Sequence, residues 1–158
     1  MKELTQEELK QVLHYDPETG VFTWLVAVGG VMVGDVAGTT HVQGYVQVRV
    51  GGFYLAHRLA FLYMTGNFPS IDIDHINGNR SDNRWGNLRP CTHQQNMFNM
   101  KTRVDSISGF KGVTRKRNGW QARIMINGKP KFLGVFDTPE QAAKVYEGHA
   151  KKLHGEFA

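Results

Sequence analysis

The sequence contains a single cysteine and only five prolines in 158 residues. One thiol, Cys91, excludes an internal disulfide and any zinc site built on CxxC pairs, and it suits a reducing, cytoplasmic setting. No apolar run approaches the roughly 18 residues a membrane span needs, so no membrane partner is expected. The opening MKELTQEELK is charged and helical in pattern, unlike a secretory signal. Low-complexity tracts and internal repeats are also missing, while hydrophobic residues at 41% are enough to build a core.

What is present is unevenly spread. Residues 1–99 carry 7 Lys/Arg against 9 Asp/Glu, and residues 100–158 carry 12 against 5. A near-neutral first part and a basic second part suggest a working unit joined to an anion-binding unit. Basic surfaces most often meet phosphate backbones, although a solvated basic face gives the same charge.

Local signals divide the chain further. Thr5 and Glu8 form a capping-box pair, which predicts a helix running to about Asp16-Pro17, with PETG as a turn. Short strands are predicted over VFTW and VGDVAG, then a hairpin YVQVRV-GG-FYLA turning at Gly51-Gly52. HRLAFLYMTG reads as a short buried helix closed by Gly66, and IDID as a brief strand before the turn-rich INGNRSDNRWGN. Thr92 and Gln95 make a second capping box, which predicts a helix through HQQNMFNMK. KTRVDSISG is the best linker candidate. Three strands follow, the last two joined at Asn127-Gly128, and then a helix with Thr138 as N-cap, Pro139 in its first turn and a third box at Gln141. Ala142, Ala143, Tyr146, Ala150 and Leu153 fall on one face of it. The fold class is α+β.

The densest chemistry lies in IDIDHINGNRSDNRWGNLRPCTHQQNMFN, residues 71–99. Hydrolysis of a phosphodiester needs an activated water and charge relief at the phosphate. A histidine can take the proton, and a divalent cation on hard oxygen ligands can supply the charge. Asp74 and His75 stand at the end of a strand, where neighbours point to opposite faces unless the strand breaks. Asn87 offers an oxygen to one ring nitrogen of His75. Asn96 and Asn99 share a helix face, where a ligand role at Asn96 would explain the poor helix former. Taken singly, the asparagines read as turn formers; His57 reads as a packing histidine and Cys91 as a small buried filler.

The ordered set Asp74-His75, Asp82-Asn83-Arg84, Asn87-Leu88-Arg89 and Thr92 to Asn96 resembles the His-Asn-His (HNH) endonucleases, in particular the homing endonucleases of phage and introns. AHRLAFLYMTGNFP matches the lead-in of such proteins, and the resemblance spans roughly residues 15–100. It implies a strand-loop-strand-helix (ββα-metal) finger with one Mg²⁺ or Mn²⁺. His75 would be the general base and Asn87 would orient it. Asp74 and Asn96 would be metal ligands, with His93 the alternative to Asn96. Arg84 and Arg89 would hold DNA phosphates.

GFKGVTRKRNGWQARIMINGKPKFLGVFDTPEQAAKVYEGHAKKLHG resembles the Apetala-type DNA-binding domain of plant ethylene-response factors. Gly112-Val113, Trp120, Ala122, Phe132-Leu133-Gly134 and Phe136-Asp137-Thr138 carry the match. This implies a three-stranded antiparallel sheet, backed by one helix, that reads double-stranded DNA. Alternation puts Trp120, Ala122, Ile124 and Ile126 toward the helix and Gln121, Arg123 and Met125 outward. Lys111, Arg115, Lys116 and Arg117 would reach phosphates or guanine edges.

Together these readings give an HNH domain over 1–100, a linker over 101–108 and an Apetala-type domain over 109–158. The expected activity is metal-dependent DNA cleavage with no small-molecule substrate, and a monomer is the favoured form. The competing reading is a non-catalytic DNA-binding regulator.

Overall fold

The computed structural model describes residues 3–93, 95–96, 107–126 and 128–155, and the chain divides into two compact units, Met1–Asn96 and Met97–Ala158. Asn99, Asn127 and most of the expected linker lie outside the described residues. No helix among the described residues is long and apolar enough to cross a membrane.

The first unit opens with the expected capping box. Thr5 Oγ1 accepts from Glu8 N at 3.2 Å, and Glu8 Oε2 accepts from Thr5 N at 3.0 Å, which satisfies two of the amides that a helix start leaves unpaired. Helix α1 (Gln6–Val12) is shorter than the sequence predicts. It ends at Leu13, and Leu13–Asp16 becomes strand β1, paired antiparallel with β2 (Val21–Trp24). The reason is burial: as a strand, Leu13 and Tyr15 both point inward and are essentially buried, with His14 outside. Strand β3 (Val36–Ala37) adds to β2, and β4 (Thr39–Thr40), β5 (Val46–Arg49) and β6 (Phe53–Leu55) form a second antiparallel sheet.

Helix α2 (Ala56–Thr65) follows β6 directly and stops at Gly66, whose φ of +84° lets its N–H reach Leu62 O at 3.0 Å. Its buried Leu59 and Leu62 join Leu9, Leu13, Tyr15, Phe22 and Val48 in one core. Each such leucine contributes roughly 1.5–3 kcal/mol by leaving water. Against this core lie strands β7 (Asp72–His75) and β8 (Leu88–Cys91), an antiparallel pair joined by a long loop that ends in a 3₁₀ turn at Trp85–Asn87. After β8, Thr92 and Gln95 cap one another and His93, Gln95 and Asn96 are helical.

The second unit is an antiparallel sheet in the order β11-β10-β9, from β9 (Val113–Lys116), β10 (Gly119–Ile126) and β11 (Lys129–Phe136), followed by α3 (Pro139–His154). Thr138 caps α3 by accepting from Gln141 N. Ala122 and Ile124 are buried, and Ala122 clusters with Val113, Ala142 and Ala143, while Arg123 and Met125 are exposed. A bulge between Ala122 and Arg123 shifts the register against β11. Leu153, expected on the buried face of α3, is 46% exposed, because the packed stripe ends at Ala150.

Candidate active site

Strand pairing sets the centre. The β7–β8 register places Asp74 opposite Arg89 and His75 opposite Leu88. Asp74 and His75 are consecutive at the end of β7, both buried, and the Asp74 charge acts on the His75 ring.

Asp74 is buried, and its Oδ2 accepts from Arg89 Nε at 2.9 Å and Nη2 at 2.8 Å. Arg89, expected to face DNA, is itself buried on this carboxylate. Two planar charged groups matched this way leave neither charge uncompensated, which a buried pair requires.

His75 is buried too, and its Nε2 lies 3.3 Å from Asn83 Oδ1. Asn83 Nδ2 donates to Ser81 O at 3.2 Å, so the amide is oriented with its oxygen toward the ring. With the amide oxygen toward the ring, Nε2 is the donor in this contact when it carries the proton. Burial pushes the His75 imidazole below its ordinary range, while the bond to Asn83 and the charges of Asp74 and Asp82 pull it back up.

The amide against the His75 ring is that of Asn83, a position the sequence offers only as part of the Asp82-Asn83-Arg84 motif. Asn87 instead holds the loop: its Oδ1 accepts from Asn77 N at 3.0 Å, and its Nδ2 donates to Asn77 Oδ1 and Asp82 O at 3.1 and 2.8 Å. Both amide hydrogens are thereby used within the loop. The other polar residues of INGNRSDNR do similar work. Asn79 Oδ1 accepts from Ser81 N and Oγ, and Asp82 accepts from Asn77 Nδ2 at 2.7 Å and from Arg84 through both oxygens. The Arg84 guanidinium holds the Asp82 carboxyl down at about 2.

The first hairpin supports this loop from below. Tyr15 donates its hydroxyl to Asn83 O at 2.7 Å, and Trp85 N donates to Pro17 O at 2.9 Å. Gly20, in the β1–β2 turn with φ of +74°, comes so close that a Cβ there would stand 2.3 Å from Asn83 C and from Arg84 N. Trp85 packs on Phe61 of α2, ring centroids 4.8 Å apart.

On its other flank the His75 ring meets His57 and Tyr45, at centroid distances of 5.1 and 5.9 Å. Burial drives the His57 imidazole down to about 3, with the neighbouring His75 and Arg58 acting in the same direction. His57 Nδ1 is buried and has no hydrogen-bond partner among the described residues. Neither contact was legible from spacing, since the residues lie far apart in the chain.

Asn96 is in the first turn after β8, its N–H donating to Thr92 O at 3.0 Å. His93 is turned to the surface, Nδ1 3.1 Å from Asp72 Oδ2. Among the described residues no group of three or more His, Cys, Asp or Glu side chains is arranged to hold a metal. A carboxylate such as Asp74, here engaged by Arg89, and an amide oxygen such as Asn96 are hard donors by residue type. They suit a cation such as Mg²⁺, which commonly takes one or two protein ligands and completes its shell with water and substrate phosphate. Cys91 is buried with Sγ 3.6 Å from Asp72 O, and burial pushes its thiol up to about 11.

In the second unit, Gln121 pairs with Thr114 of β9 on the outer face of the sheet, where Arg123 is exposed. Lys116 and Arg117 are exposed, and Lys111 is half-buried. Arg115 pairs with Trp120 and lays its guanidinium 5.0 Å from that ring. Gly112 is forced, since a Cβ there would strike the Tyr146 ring at 2.2 Å.

Comparison with known proteins adds the following. The HNH endonuclease family model matches residues 54–98. An uncharacterised HNH endonuclease of Acanthamoeba polyphaga mimivirus is 40% identical over 119 residues, which is 73% of this chain and 62% of that protein. Protein 3.8 of Escherichia phage T7 is 35% identical over 88 residues, 54% of this chain and 72% of the phage protein. APETALA2-like protein 2 of rice is 32% identical over 123 residues, 71% of this chain but 28% of that protein, so this likeness is partial. A solved structure of DNA binding and cleavage by the HNH homing endonuclease I-HmuI aligns with a TM-score of 0.45 at 21% identity, over 63% of this chain and 57% of that one. The segment that matches the HNH endonuclease family model encloses Asp74, His75, Asn83 and Asn87, and the chain spans 62% of the length of its mimivirus HNH relative.

Proposed function

We propose that the protein is a metal-dependent DNA endonuclease of the homing type, with a ββα-metal finger in its first unit and a DNA-reading sheet in its second. One observation carries this reading: a buried imidazole, His75, held at Nε2 by an oriented amide, inside the segment that matches the family. A neutral ring with its lone pair on Nδ1 is the form a general base needs near neutral pH, and burial favours it.

In this reading His75 Nδ1 takes a proton from water as the water oxygen attacks phosphorus. The P–O3′ bond breaks with its electron pair on O3′, which takes a proton from solvent, leaving a 5′-phosphate and a 3′-hydroxyl. Asn83 keeps the ring's other nitrogen occupied, and Asn87 stiffens the loop that carries Asn83. Asp74 and Asn96 would hold one Mg²⁺ or Mn²⁺, which supplies charge stabilisation at the phosphate when bound. Asp74 would serve this ligand role beside Arg89, and Arg84 lies exposed where a DNA strand would pass.

The second unit binds double-stranded DNA in this proposal. Gln121 and Arg123 are offered on the outer sheet face and Lys116 and Arg117 at its edge. Arg115 and Lys111 would contribute from the β9 side. Affinity should fall steeply as salt rises, because each neutralised phosphate releases counterions.

The test is plasmid cleavage with Mg²⁺, Mn²⁺ or EDTA, with the ends mapped, beside DNA binding by gel shift. His75→Ala should abolish cleavage and leave binding nearly intact. Cleavage persisting in that variant, or in EDTA, would overturn the mechanism.

A further inference from the structure

We propose that His57 is a positioning residue for His75: its ring, with that of Tyr45, walls the imidazole and fixes the plane in which it meets water. This inference rests on the reading of His75 as the base.

The contact of Nε2 with Asn83 Oδ1 holds one corner of the ring. Proton transfer depends on the direction of the ring nitrogen's lone pair, and a misplacement of about 1 Å can cost on the order of 100-fold in rate. Contact with the ring itself adds restraint. His57 supplies it edge-to-face, with an interplanar angle of 84° at 5.1 Å between centroids. Tyr45 leans on both rings, 5.4 Å from His57 and 5.9 Å from His75. Tyr45 is held in turn by the Arg80 guanidinium, 4.9 Å from its ring, and Arg80 Nη1 is tied to Gln43 O at 3.1 Å. Three separate elements therefore meet at this ring: the first turn of α2, the segment before β5, and the end of β7.

Ordinary core packing does not account for the residue. His57 is 6% exposed and its Nδ1 has no hydrogen-bond partner among the described residues. An unsatisfied buried polar atom costs about 1–3 kcal/mol, which a hydrocarbon of similar size would avoid. Stability alone would therefore place leucine or phenylalanine there. The imidazole edge is useful where it abuts the ring of His75.

Activity and stability should therefore rank differently. His57→Leu keeps the volume, removes the ring and removes the unsatisfied atom. It should melt at or above the wild-type temperature, bind DNA within 2-fold of wild type, and lose about 10- to 100-fold in single-turnover cleavage. His57→Phe restores an aromatic edge and should recover most of that loss. The His75 imidazole N–H gives a readout apart from cleavage: its exchange with water, followed by NMR, should quicken in His57→Leu and return in His57→Phe. A wild-type cleavage rate in His57→Leu, with His75→Ala inactive, would overturn this inference alone. Full cleavage by His75→Ala would overturn the base assignment and this inference with it.

Discussion

Gly20 and Asn83 meet backbone to backbone, 63 positions apart, with no room between them for a methyl group. Gly20→Ala must therefore displace the loop or the hairpin, and it also places a side chain at φ +74°. The expected result is a loss of about 1–3 kcal/mol in stability and a cleavage rate lower by more than that loss explains. Urea unfolding beside single-turnover cleavage under fully folded conditions checks it. A variant that is less stable but cleaves normally would show that the contact only supports the fold.

Removing the amide at position 83 should act on chemistry. Asn83→Ala deletes the acceptor for His75 Nε2, and losing such a supporting hydrogen bond typically costs about 10- to 100-fold in activity. Affinity for DNA should stay within 2-fold. Asn87→Ala should be harsher on stability, because three hydrogen bonds across the loop depend on that side chain.

The Asp74–Arg89 pair makes a prediction with opposite signs for two kinds of variant. Arg89→Ala removes the guanidinium that the buried Asp74 carboxylate accepts from and should cost about 3–5 kcal/mol. Replacing the pair by Asp74→Leu with Arg89→Met should restore much of that stability while abolishing cleavage. Thermal melts and a nicking assay separate the two outcomes.

Acid should destabilise the first unit through His57. Its folded pKa of about 3 lies below the ordinary value of 6.5, so below 6.5 the unfolded chain binds more protons than the folded one. This contribution is complete above 6.5 and is lost as the pH falls from there toward about 3. Between pH 7.5 and 5 the loss is roughly 2 kcal/mol. His75 shifts in the same direction, so the difference between wild type and His57→Phe isolates the His57 part. Parallel pH profiles for the two proteins would contradict it.

The sequence discloses local structure better than it discloses partnership. The capping box at Thr5, the glycines after Val50 and at Gly66, and the in-out alternation of β10 all follow from rules spanning a few residues. The polar run after His75 is legible as chemistry, yet its internal division is not: Asn83 and Asn87 are the same residue type, four apart, and only the folded loop shows which amide reaches the ring. Tyr15, Tyr45 and His57 act over long separations and carry no local signature. Helix α1 stops short of the predicted Asp16-Pro17 for a related reason, since the sheet pairing of Leu13–Asp16 outweighs helical continuation.

The scaffold beneath the loop also bears on how the segment matched by the family model could be moved. The stretch that matches the family begins at residue 54, yet the hydroxyl and the glycine that seat Asn83 belong to the turn between positions 15 and 20. A cassette cut at the boundary of that match would carry His75 and Asn83 without the residues that seat the loop. Moving the segment intact thus means carrying the amino-terminal hairpin along with it.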